Sequence, residues 1–78
     1  MMELEIISFG KAAEVISNQR IVVTELSTTD ELKEYLERIF PALSKMKYKM
    51  VLNKQIVQEN KDLNNNDTVA IMPPFSGG

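Results

Sequence analysis

Along Met2–Phe9 the apolar residues Met2, Leu4 and Ile6 alternate with Glu3 and Glu5, the period of a strand with one buried face. Gly10-Lys11 ends that pattern. Ala12–Ile16 has room for one helical turn, but Ser17-Asn18-Gln19 follows at once, and the stretch is read as a connection. Arg20–Leu26 is rich in β-branched residues and predicts a second strand. Its unbroken Ile21-Val22-Val23 run leaves the buried face undetermined.

The period then changes. Leu32, Tyr35, Leu36, Ile39 and Phe40 recur at helical spacing and form one apolar stripe, with Glu34 and Arg38 as an i,i+4 pair on the other side. Thr28 with Glu31 three residues on fits a capping box, in which hydroxyl and carboxylate each satisfy a free backbone N–H. Pro41 stops the helix, because it has no N–H and disfavours helical geometry in the residue before it. The stripe reads as core.

Alternation returns in Tyr48, Met50 and Leu52. Asn53-Lys54 predicts a tight turn and Gln55–Gln58 a short returning strand. In the polar stretch after it Leu63 is the one anchor, and Asn64–Asn66 reads as a turn. Thr68–Met72 is the last strand, stopped at Pro73-Pro74. Strand, strand, helix, strand, short strand, strand is an α+β order, and a ubiquitin-like β-grasp is its compact arrangement: a mixed sheet of about five strands with one main helix on one face. The expected division is a β-grasp domain over 1–72 and an extended tail over 73–78.

Seventy-eight residues, 44% hydrophobic and 26% charged, suffice for one small globular core and no large cleft. A net charge of −2 offers no basic field for a nucleic acid backbone. No apolar run approaches the roughly 20 residues of a bilayer span, and the acidic "MMELE" lacks the positive start of a signal peptide. The expectation is a cytoplasmic protein without membrane or nucleic acid partners. With neither Cys nor His, the chain lacks thiolate nucleophiles, the commonest general base and the commonest transition-metal ligands. Catalysis by this chain alone is not expected, nor is a bound metal or cofactor.

The terminal carboxylate of the ending "MPPFSGG" remains as a reactive group. Two of the three glycines are the last two residues; a frayed, solvated tail would accommodate them, but behind a Pro-Pro pair the ending reads as a tail built for insertion. The six residues beyond Met72 span about 20 Å when extended. Pro73 and Pro74 stiffen the base of that arm, and Gly77 and Gly78 have no side chain to obstruct a narrow tunnel. Adenylation of the terminal carboxylate would supply a leaving group that sulfur could displace, giving a thiocarboxylate with no catalytic side chain of this domain.

"VLNKQIV", "LNNNDTVAIMPPFSGG" and the strand ending in Phe9 together resemble the small subunit of molybdopterin synthase, a family of ubiquitin-like sulfur carriers. The resemblance is continuous over Tyr48–Gly78 and looser but collinear over Met2–Leu43; its specific part is the Pro-Pro-x-Ser/Thr-Gly-Gly ending. It implies that an E1-like adenylating enzyme activates Gly78 with ATP and that a sulfur donor loads it. The tail then enters the molybdopterin synthase large subunit and supplies the dithiolene sulfurs that turn cyclic pyranopterin monophosphate into molybdopterin. The assembly it implies is a heterotetramer. Carried over by position, Gly78 bears the sulfur, Gly77 is its slender neighbour, and Pro73, Pro74, Phe75 and Ser76 form the arm. Phe9, Ile56 and Met72 fall at an apolar partner patch, although from the residues alone Phe9 and Ile56 fit a core equally well. Asn66 stands where the family has Gly, and Ser8 and Gly10 replace part of an aromatic-rich segment. Two other readings stay open: a carrier for another acceptor, in thiamine synthesis or a similar pathway, and a plain interaction domain with no chemistry at Gly78.

Overall fold

The computed structural model describes residues 1–74. Five strands form one mixed sheet: β1 (Met2–Ser8), β2 (Gln19–Val23), β3 (Lys49–Leu52), β4 (Gln55–Ile56) and β5 (Thr68–Met72). Their order across the sheet is β2-β1-β5-β3-β4. β1 and β5 lie side by side and parallel, and the other neighbours are antiparallel. Helix α1 (Thr29–Ile39) supplies Leu32 and Leu36 to the core, beside Leu4, Ile6, Val23, Met50, Val69 and Ile71 from the strands. These inward residues alternate along each strand, as a sheet covered on one face requires. This is the expected architecture.

The capping box at the start of α1 is complete. The Thr28 hydroxyl accepts from the Glu31 amide at 3.3 Å, and the Glu31 carboxylate accepts from the amides of Ser27 at 2.8 Å and Thr28 at 3.2 Å. Those donors, above all the Ser27 amide, hold the Glu31 carboxyl below its ordinary range. A depressed carboxylate stabilises the fold above its unfolded pKa of about 4.3 and loses that contribution as pH falls through the folded value. Thermal melts should therefore find wild type more stable than Glu31→Gln at pH 7 and the gap closing toward pH 3. A gap of unchanged size at pH 3 would refute the charge-based account. Thr28→Ala should cost about 1 kcal/mol.

Two connections are fixed by a few of their own residues. Asn53 and Lys54, at φ 48° and 73°, close the two-residue turn between β3 and β4. Asn66, at φ 69°, takes the left-handed conformation that Asn tolerates in place of Gly. Leu63 is 5% exposed and pins its loop to the core. Asp67 ties the two together, accepting from the Asn53 side-chain amide at 2.9 Å and from the Asn64 backbone at 2.8 Å.

Several details depart from the expectation. β2 ends at Val23, opposite Met2, where β1 has no further strand residue to pair with. β4 ends at Ile56, although the Val57 amide still donates to Met50 across the ladder. Two connections are short 3-10 helices, Gly10–Glu14 and Pro41–Lys45, each held by one buried side chain, Ala12 and Leu43. The α1 stripe is narrower than its spacing suggested, for Ile39 is 44% exposed while Tyr35 and Phe40 are half-buried. Among the described residues the ion pairs are Arg20–Glu3 and Lys61–Glu59, so Glu34 and Arg38 do not form one. Within the described residues no helix is long and apolar enough to cross a membrane.

Candidate functional site

The face of the sheet opposite α1 divides into two halves. Outward positions alternate with the buried ones, so β1 presents Glu3, Glu5 and Ile7 there, with Phe9 continuing the series in extended backbone. At one end Glu3 accepts from Arg20 at 2.6 Å, and the Thr68 hydroxyl donates to Glu5 at 3.0 Å. Beyond that polar end, Ile7 pairs with Ala70, Ala70 with Val51, and Val51 with Ile56. An apolar row therefore crosses four strands.

Phe9 and Met72 extend this row toward the end of β5. The Phe9 amide donates to the Ile71 carbonyl at 3.0 Å, which carries the β1–β5 pairing one step past Ser8, and Met72 faces Lys49 across β3. Phe9 is 46% and Ile56 47% exposed, which decides the choice left open by the sequence: neither is core. Met72 is half-buried. Ile7, Val51 and Ala70 were missed as members of this face. For Ile7 the signal was the outward phase of β1, which turns from Glu3 and Glu5 to Ile7 and Phe9; Val51 and Ala70 join it only through the strand order.

The tail leaves from the same edge. Pro73 and Pro74 follow β5 and are exposed. Pro73 lies over Gly10, whose φ is 61°; a Cβ built on Gly10 would come within 3.2 Å of the proline ring. Gly10 thus serves twice, in a left-handed backbone and in close contact with the first residue of the arm. Phe75, Ser76, Gly77 and Gly78 lie outside the described residues.

Next to Pro73 and Pro74 is a hollow of about 310 Å³, lined also by Lys11 and Ala12 of the first 3-10 helix and by Lys45, Met46, Lys47 and Tyr48 before β3. A larger one, of about 480 Å³, opens between the start of α1 and the β3–β4 hairpin, with Asp30, Lys33, Lys49 and Glu59 around Tyr48 and Ile56. There the Tyr48 hydroxyl donates to Glu37, and the Lys33 ammonium lies 5.7 Å from the Tyr48 ring centre. Burial, followed by the Glu37 contact, pushes the Tyr48 hydroxyl well above its usual range, so it stays protonated and joins α1 to β3. Among the described residues no three acidic side chains converge as metal ligands. What the site can do chemically is present an apolar face and the root of a thin arm.

Comparison with known proteins agrees with this geometry. The model of the ThiS family matches residues 6–78. The molybdopterin synthase sulfur carrier subunit of Dictyostelium discoideum is 32% identical over 83 aligned positions, covering 97% of this chain and 96% of that protein. Among solved structures, molybdopterin converting factor subunit 1 from Pyrococcus furiosus superposes with a TM-score of 0.85 at 14% identity, over 96% of this chain and all of the other. Small archaeal modifier protein 1 of Haloferax volcanii superposes at 0.79 with 21% identity, over 96% and 100%. At such identities these two structures speak for the fold, which is the ubiquitin-like β-grasp.

Proposed function

The chain belongs to the ThiS family, and on that premise we propose that it is the sulfur-carrier subunit of a molybdopterin synthase. The observation that carries this reading is the 32% identity, over nearly the whole of both chains, to a carrier of that name. The arrangement supports it, since an apolar sheet face and a proline-stiffened arm issue from one edge of the domain.

In the proposed cycle the Gly78 carboxylate attacks the α-phosphate of ATP on an E1-like adenylating enzyme, releasing pyrophosphate and leaving an acyl-adenylate. Sulfide-level sulfur from a donor attacks the acyl carbon and expels AMP, leaving a thiocarboxylate. The loaded tail enters the large subunit, where the thiocarboxylate sulfur bonds to a carbon of cyclic pyranopterin monophosphate and displaces the oxygen held there; water then cleaves the acyl C–S bond, leaving the sulfur on the pterin and restoring the Gly78 carboxylate. Proton transfers are left to the partners, which suits a carrier with no His or Cys. Gly77 keeps the approach to the acyl carbon open, Pro73 and Pro74 lower the entropy lost on insertion, and Phe75 and Ser76 contact the tunnel wall. Phe9, Ile56 and Met72 sit on the docking face. The assembly would be a heterotetramer acting in the cytoplasm.

The test is the intact mass of the chain after incubation with ATP, the adenylating enzyme and a sulfur source. Replacement of one oxygen by sulfur, dependent on Gly78, is the expected result. An unchanged mass beside an active control enzyme would overturn the carrier reading.

A further inference from the structure

Charge is unevenly distributed on this acidic chain. From Ile39 to Gln58 there are four lysines, Lys45, Lys47, Lys49 and Lys54, and no Asp or Glu. The fold gathers Lys45 and Lys47 with Lys11 around the hollow beside Pro73 and Pro74, and no carboxylate is among its lining residues. Lys49 stands opposite Met72, at the next step of the sheet. None of the four is in an ion pair among the described residues. The acidic side chains of the open face, Glu3 and Glu5, lie at its other end, where Arg20 and Thr68 engage them.

We infer that Lys11, Lys45 and Lys47 form a basic collar that docks against carboxylates on the rim of the adenylating enzyme's tail-binding channel. The inference rests on the carrier reading above. Its position argues for a protein occupant, because whatever takes up the arm must pass over its root. Its chemistry fits a protein surface bearing carboxylates: exposed lysines surround an apolar lining from Ala12, Met46 and the two prolines, the pairing of charged rim and apolar contact found at protein interfaces. Its role follows from turnover. A carrier must leave the adenylating enzyme after each activation, and rim charges speed encounter while adding little to residence time, whereas a larger apolar contact would slow release.

The test uses the full chain, its adenylating enzyme and ATP, with pyrophosphate release measured against carrier concentration at low and moderate salt. Lys45→Glu with Lys47→Glu should raise KM about tenfold at low salt, leave kcat unchanged, and flatten the salt dependence shown by wild type. Lys54→Glu with Lys61→Glu makes the same change in net charge away from the hollow and should stay within about twofold of wild type. All four lysines are exposed, and thermal melts would confirm that both variants fold. Equal effects of the two pairs, or none, would overturn the collar while leaving the carrier reading intact. A fall in KM would overturn it too, since the lysines would then be holding the chain's own tail. Absence of pyrophosphate release from wild type, beside an active control carrier, would instead reject the carrier reading and the collar with it.

Discussion

A chain extended by one alanine after Gly78 should take up no sulfur, a loss of at least about a thousandfold, while its melting temperature stays that of wild type. The reacting group in the proposed cycle is the α-carboxylate itself. An added residue turns that carboxylate into an amide and moves the chain end about 3.5 Å further on, and misplacement of even 1 Å can cost about a hundredfold. Gly77→Val tests the same geometry without changing length: a β-branched side chain would widen the arm next to the acyl carbon and stiffen its backbone. Both changes lie beyond β5 and the residues that pack the core, so stability gives the control. Intact mass after loading is the measurement. Wild-type loading of the extended chain would show that the Gly78 carboxylate is not the required acceptor and would overturn the proposed cycle.

The second large effect should come from the sheet. Phe9→Ser with Ile56→Thr should weaken binding to the molybdopterin synthase large subunit by about a hundredfold, because exposed apolar side chains at an interface centre carry a disproportionate share of affinity. Both positions are about half exposed in the free domain, so unfolding free energy should change by no more than about 1 kcal/mol. Titration calorimetry and denaturant melts on the same samples separate the two quantities. Unchanged affinity would remove the face between Phe9 and Ile56 from the interface; lost stability would return those residues to the core.

Where the signal was local, the chain could be read ahead of its structure. Thr28 and Glu31 are one helical turn apart, Asn53-Lys54 is its own turn, and Pro73 removes a ladder donor at a stated position; the structure has the capping box, the left-handed pair and the end of β5 at those residues. What escaped depends on neighbours distant in sequence. Whether Phe9 and Ile56 face solvent is decided by which strands lie beside them, and the row from Ile7 to Ile56 exists only once β5 is placed between β1 and β3. The 3-10 helices rest on single anchors, Ala12 and Leu43, too little for a periodic signal. The lysine hollow joins the first helical connection to the residues before β3 through Pro73 and Pro74, a grouping no linear pattern records.

The placement of β5 also bears on the order of events at the ribosome. The last of the described strands in chain order is a central one, paired to β1 on one side and to β3 on the other. Until it has emerged, β1 with β2 and β3 with β4 are separate hairpins lacking the partner between them, and isolated hairpins are at best marginally stable in water. The domain must therefore complete its fold after translation of Met72, by a closure that joins the two ends of the chain and is correspondingly slow. On the proposed carrier reading, Pro73 leaves an ordered sheet edge only in a polypeptide whose core has already closed, so half-folded chains would be poor competitors for the adenylating enzyme.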